Sequence, residues 1–127
     1  DHLSSRGIPL ASNQVEYNLL DRRIESNGVL DRAKALGVTI IAYSPLEMGL
    51  LTGKFHKNTA LLDRAPLLRR RRLRKQLRAS GPVIETLERI AERHGTTPAQ
   101  IALCWLINAH GDLVEAIPGA TKVRHAA

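Results

Sequence analysis

Cysteine is almost missing from this sequence, whose 127 residues hold only Cys104. An internal disulfide is excluded, and so is any zinc site or redox pair that needs two thiolates, which fits a reducing compartment. With no base patterned near it, Cys104 reads as a small buried hydrophobe. Aromatic residues make up 3% of the chain, which leaves few surfaces on which unpaired bases could stack. No apolar run approaches the ~18 residues of a membrane span, and no basic n-region followed by an apolar stretch opens the chain. A soluble, cytoplasmic protein without a membrane partner is expected. The five histidines, His2, His56, His94, His110 and His125, include no pair at H-x-x-x-H spacing, so no metal site is expected. The first residue is Asp1, not Met, and the chain reads as starting inside a longer reading frame.

What is present suits one folded domain: 43% of residues are hydrophobic and 24% charged, too apolar for a mainly disordered chain. The formal charge of +7 comes from 19 basic and 12 acidic residues. The excess is local. Arg64, Arg69, Arg70, Arg71, Arg72, Arg74, Lys75 and Arg78 fall in a stretch without an acid, so the basicity belongs to one segment.

Hydrophobic periodicity gives the organisation. Asp1 to Arg6 reads as the end of one element, followed by a turn at Gly7 and Pro9 and an extended run from Leu10 to Tyr17. In that run Ala11, Asn13, Val15 and Tyr17 share one face, and Ser12, Gln14 and Glu16 the other. Glu25 to Leu36 has a helical stripe of Val29, Leu30, Ala33 and Leu36, with Gly37 placed to stop it. Val38 to Tyr43 is β-branched and nearly all apolar, the signature of an interior parallel strand buried on both faces. The next loop, Ser44 to Lys54, holds one proline and two glycines, where backbone turns tightly or something approaches closely. Asn58 to Ser80 is expected to be an irregular or marginally helical insertion, because like charges four residues apart repel on a helix. Pro82 should open a helix at its first position, with Ile84, Leu87, Ile90 and Ala91 as its stripe and Gly95 just past its end. Thr97-Pro98-Ala99-Gln100 forms a capping box for a second helix with Ile101, Cys104, Trp105 and Asn108 on its inner face. A last strand runs from Leu113 to Ile117. Strands alternating with helices imply an α/β fold with a parallel sheet. Three strands alone would leave open edges, which invite self-association.

The stretch I-I-A-Y-S-P-L-E-M-G-L-L-T-G-K, with A-S-N-Q-V-E-Y-N-L-L before it and T-P-A-Q-I-A-L-C-W-L-I and A-I-P-G-A-T-K after it, closely resembles the aldo-keto reductase family. The resemblance covers nearly the whole chain except about 58–80. It implies a partial (β/α)8 TIM barrel, about the last three β/α units, spanning 1–127 with a basic insertion at about 58–80. It also implies the cofactor-side half of an NADP(H)-dependent oxidoreductase that reduces carbonyls to alcohols when complete.

By that resemblance Gln14 hydrogen-bonds the nicotinamide carboxamide and Tyr43 stacks on the nicotinamide ring. Ser44, Pro45, Leu46, Gly49 and Leu51 wrap the pyrophosphate. Pro118, Gly119, Ala120 and Thr121 form a loop at the adenosine 2′-phosphate, with Lys122 as a nearby cation. His125 stands where many relatives have Arg, and makes no bidentate fork, so NADPH against NADH is left open. Glu47 sets an anion in the phosphate loop, and its carboxylate is expected to point to solvent. The family's catalytic Asp, Tyr, Lys and His lie in the first half of the barrel. None of their motifs is in this chain, so no catalytic residue is assigned, and the chain alone is expected to be inactive without its proton donor. Its partners would be the nicotinamide cofactor and either a separate N-terminal half-barrel or a second copy. The alternative is a non-catalytic module that binds nucleotides, or polyanions through the Arg-rich segment. Without a base-reading helix, sequence-specific nucleic-acid recognition is not expected.

Overall fold

The structure, a computed structural model, describes residues 2–64 and 66–120. They form two compact units, one of residues 2–45 with 106–120, the other of 46–64 with 66–105.

The first unit opens with one helical turn, α1 (His2–Ser5), and is built on three parallel strands, β1 (Ser12–Glu16), β2 (Thr39–Tyr43) and β3 (Val114–Ala116), in the order β1-β2-β3. Gln14 is in register with Ile41, Glu16 with Tyr43, and Ala42 with Ala116. β2 is the central strand, as its composition predicts. The expectation that both its faces are buried fails: Ile40 and Ala42 are buried, Thr39 and Ile41 half-buried, and Tyr43 exposed. That is the two-residue alternation of a sheet covered on one side. Tyr17 and Val114 are also buried, whereas Gln14, Glu115 and Ile117 are exposed.

α2 (Val29–Leu36) packs near β2 and buries Leu30 and Ala33. It begins at the first residue of its apolar stripe, four residues later than the expected start at Glu25, because Gly28 takes a left-handed conformation (φ 84°) and breaks it from a 3₁₀ turn at Arg23–Glu25. Gly37 (φ 63°) ends it, and the Val38 N–H returns to the Ala33 carbonyl at 2.9 Å.

The second unit holds a 3₁₀ segment Glu47–Thr52, α3 (Lys54–Lys57), a further 3₁₀ segment Thr59–Arg64, and α4 (Leu67–Arg93). α5 (Pro98–Asn108) begins here and ends in the first unit. The segment at 58–80, expected to be irregular or marginally helical, is largely helix. α4 runs unbroken through the arginine run, and Pro82 lies inside it rather than at its start.

Two effects offset the charge repulsion. Leu73, Ser80, Ile84, Leu87 and Ala91 are buried along the helix. Arg70 and Arg74 pair with Asp63, and Arg72 with Glu47. At Pro82 the missing N–H deprives the Arg78 carbonyl of its helical donor. The turn before it is held from outside the ladder, by Ser80 Oγ bonded to the Gln76 and Leu77 carbonyls and by His56 Nε2 at 3.1 Å from the Leu77 carbonyl.

The capping box forms as expected, with the Gln100 N–H donating to Thr97 Oγ1 at 3.3 Å and the Thr97 N–H to Gln100 Oε1 at 3.1 Å. The buried face of α5 is Ala102 and Leu106, not the expected stripe, and Cys104 is exposed rather than buried. Residues 101–107 are all apolar, so their pattern marks no single inner face, and the true one lies one residue, ~100°, around the helix.

Candidate functional site

Parallel pairing brings three strand ends of the first unit side by side. Register partners in a parallel sheet project to the same side, as do residues two apart on a strand. Gln14, through its partner Ile41, therefore shares a face with Tyr43 on the neighbouring strand. On the other side of β2, the Ile117 N–H donates to the Ala42 carbonyl at 3.2 Å. The chain then leaves β3 as Pro118, Gly119 and Ala120 at the same end of the sheet, all exposed. Tyr43 is 39% exposed and Gln14 is exposed, so a flat aromatic ring and an amide with both donor and acceptor capacity are open on one surface. Glu16, level with Tyr43 on that face, has Arg23 at 3.6 Å, and Arg23 also grips Asp21. Thr121, Lys122 and His125 lie outside the described residues.

After β2 the backbone turns sharply at Ser44, whose φ of 51° lies in the left-handed region that side-chain-bearing residues seldom adopt. Asn18 holds it there. Fully buried, it donates from Nδ2 to the Ser44 carbonyl at 3.1 Å, while its Oδ1 accepts the Leu20 and Asp21 N–H groups at 2.9 Å each. Asn18 thus joins the exit of β1 to the exit of β2. Nothing in the sequence sets this asparagine apart from a turn residue.

Beneath this lies a second cluster that the sequence does not announce. The buried Tyr17 hydroxyl donates to Glu25 Oε1 at 2.6 Å and lies 2.6 Å from His110 Nε2. The hydroxyl's one proton goes to the carboxylate, so its oxygen accepts from His110, which fixes the Nε2–H form. Arg22 clasps both Glu25 oxygens, at 2.8 and 2.7 Å. That clasp, followed by the Tyr17 bond, holds the Glu25 carboxyl below its ordinary range, against an opposing effect of burial. Burial first, then the bond to Glu25, pushes the Tyr17 hydroxyl far above the ordinary phenol range. Tyr17 is a committed donor, unsuited to proton transfer at neutral pH.

In the second unit, the remaining loop residues follow a backbone as strained as that at Ser44. Glu47 (φ 44°), Met48 (φ 51°) and Gly49 (φ 94°) are successive left-handed positions, and the Gly49 and Leu51 N–H groups close onto the Leu46 carbonyl at 2.9 and 3.2 Å. Such strain clusters at functional loops. At Gly53 (φ 75°) a Cβ would come within 3.0 Å of Glu88 Oε1. Leu51 is buried, while Leu46 and Gly49 are partly exposed. The expectation that Glu47 points to solvent is wrong: it is 1% exposed, and Oε1 accepts from Arg72 Nη2 and Gln76 Nε2, both at 3.0 Å. The basic segment supplies the compensating charge from α4. Among the described residues no group of three or more His, Cys, Asp or Glu side chains could hold a metal ion, and no helix is long and apolar enough to cross a membrane.

Residues 2–127 match the model of the aldo/keto reductase family. The chain is 37% identical over 125 residues to a chloroplastic pyridoxal reductase of Arabidopsis thaliana, covering 98% of this chain and 32% of that protein. The crystal structure of a thermostable aldo-keto reductase bound to the inhibitor epalrestat superposes with a TM-score of 0.64 at 35% identity, over 97% of this chain and 34% of that one. An aldo/keto reductase from Klebsiella pneumoniae in complex with NADP and acetate gives a TM-score of 0.57 at 25% identity, over 91% of this chain and 31% of that one. The chain therefore spans about a third of the length of these relatives, and its three parallel strands with their helices are a part of the (β/α)8 barrel. By its sequence along nearly its whole length and by its fold, this chain belongs to the aldo-keto reductase family of oxidoreductases.

Proposed function

We propose that this chain carries the nicotinamide-nucleotide side of an NADP(H)-dependent aldo-keto reductase, with carbonyl-to-alcohol reduction as the reaction of the complete enzyme. The observation that carries the reading is the pairing of Gln14 and Tyr43 on one exposed face of neighbouring strands, with Pro118–Ala120 leaving the sheet at the same end. The residues fit the cofactor: an exposed amide suits a carboxamide, and an exposed aromatic face suits a planar pyridine ring.

In this reading Gln14 orients the nicotinamide and Tyr43 supports its face. Ser44 and Pro45 continue the wall. Leu46, Gly49 and Leu51 shape the loop beside the pyrophosphate. Pro118, Gly119, Ala120, Thr121, Lys122 and His125 meet the adenosine phosphate. The cofactor supplies the hydride. Of the two tyrosines, Tyr17 is committed to Glu25 and Tyr43 is the stacking ring, which leaves no tyrosine to donate the proton and, we infer, the chain without turnover. Binding is tested by titrating NADPH against Trp105 fluorescence. Tyr43→Ala should weaken binding at least about tenfold, and equal binding by the variant, or none by the unaltered chain, overturns the reading. Carbonyl-dependent NADPH oxidation by the chain alone would overturn the inactivity.

A second reading, association with polyanions, is favoured by one observation. Arg71, Lys75 and Arg78 are exposed with no acidic partner among the described residues, and their spacing puts them on one outward stripe of α4. Lys75 and Arg78 line an open groove of about 680 Å³ with Thr59, Asp63 and Arg74. Heparin binding that falls steeply with salt and is lost when all three are changed to Ala would support it. Salt-insensitive binding, or none, would remove it.

A further inference from the structure

We propose that the Arg69–Arg72–Gln76 face of α4 is the positioning element for the loop at Leu46–Gly49, holding its backbone in the left-handed shape in which, on the cofactor reading, it would meet a diphosphate. The inference rests on the cofactor reading above and adds to it a role for the basic segment, which lies outside the family-like motifs.

Residues 69, 72 and 76 are spaced i, i+3, i+7, so they line up along one side of a helix. Each gives a hydrogen bond to the two side-chain-bearing residues of the loop that have left-handed backbones. Arg69 Nη2 donates to the Met48 carbonyl at 3.0 Å. Arg72 Nη2 and Gln76 Nε2 donate to Glu47 Oε1, each at 3.0 Å. Backbone of this kind costs energy at every such residue and persists only where surrounding contacts enforce it.

Glu47 is the handle. A carboxylate 1% exposed needs donors to offset its lost hydration, and two come from a single helix. Gln76 turns its Nε2 to Glu47 and leaves its buried Oε1 without a hydrogen bond; the flipped amide would set oxygen against oxygen at Glu47. Turned inward and paired, Glu47 no longer opposes an anion at the loop.

The test exploits a difference in sign. If Glu47 acted on a diphosphate only through its charge, Glu47→Ala would remove a repulsion and tighten NADPH binding. The clamp predicts the opposite, a Kd raised about tenfold. Glu47→Gln keeps an acceptor for both donors and should stay within about threefold of the unaltered chain.

Arg72→Ala should weaken binding about as much as Glu47→Ala. Arg89→Ala, which removes an exposed cation elsewhere on α4, reports the long-range charge effect and should change Kd by less than about twofold. Hydrogen exchange of amides 46–52 in cofactor-free protein, with circular dichroism to confirm folding, reads the clamp without any ligand. Exchange should speed up about tenfold in Glu47→Ala and Arg72→Ala but not in Glu47→Gln. Should Arg72→Ala fail to fold, Arg72→Lys takes its place, retaining charge but only part of the bond.

Unchanged exchange in Glu47→Ala and Arg72→Ala overturns the clamp, and tighter NADPH binding by Glu47→Ala overturns the positioning role. If the unaltered chain binds no NADPH, the cofactor reading and the positioning role both fall, and accelerated exchange then still establishes the clamp as a structural device.

Discussion

Replacing Asn18 by alanine removes a side-chain link between the exits of β1 and β2. At least three hydrogen bonds go: Nδ2 to the Ser44 carbonyl, and Oδ1 from the N–H groups of Leu20 and Asp21. The Asp21 N–H keeps a second acceptor, the Asn18 carbonyl at 3.2 Å, so the Leu20 N–H and the Ser44 carbonyl bear most of the loss. At roughly 0.5–1.5 kcal/mol per bond, with a further penalty for buried groups left unpaired, the expected cost is about 2–4 kcal/mol, a large share of the ~5–15 kcal/mol that holds a typical domain together.

Asn18→Asp separates the parts. It keeps the acceptor for Leu20 and Asp21 but turns an oxygen on the Ser44 carbonyl, so at neutral pH it should be at least as damaging as alanine. Urea unfolding followed by circular dichroism measures both, with the slope checked for constancy. If the aspartate variant matched the unaltered chain to within ~0.5 kcal/mol, the Asn18–Ser44 bond would not be holding the turn, and the account of the left-handed Ser44 would be wrong.

Two further outcomes follow from other features. Glu25 has a folded-state pKa below its ordinary 4.5, chiefly because of Arg22. The stability it contributes is therefore complete above about pH 4.5 and is lost as pH falls through the lowered value. Stability curves of the unaltered chain and Glu25→Gln should differ by a constant amount above that pH and converge below it, and a gap that widened on acidification would contradict the assignment. Pro82→Ala restores a donor for the Arg78 carbonyl at an exposed position inside α4. It should raise thermal stability by about 1–3 kcal/mol, and a lower melting temperature would show that the proline is required by its neighbours.

The sheet was legible because its signals are local. The Val38–Tyr43 run, Gly37 and the Thr97–Gln100 box each act through their own few residues. What sequence reasoning missed depends on distant partners. Nothing near residues 69–78 reveals that Asp63 and Glu47 will neutralise arginines, so repulsion argued for a helix that was marginal at most. The buried side of α5 could not be picked from seven consecutive apolar residues. Glu47 looked like a solvated anion because its partners lie 25 and 29 residues away. Of the candidate site, Gln14, Tyr43 and the residues after β3 were placed by strand pattern and family motifs. Asn18, and the donors on α4 that hold the loop, became visible only when side chains met.

The connectivity of the sheet bears on how the chain assembles. β1 meets β2 through a short excursion, Ser12 aligning with Thr39, whereas β2 must wait for β3 until the chain has travelled from Ile40 to Val114. Closing the longer span costs about 0.9 kcal/mol more chain entropy than the shorter one, and only three residue pairs reward it. The β1–α2–β2 crossover is thus the natural early unit, and the arrival of β3, carrying Pro118 with it, the late event. The rim formed by all three strands comes into being only at that last step.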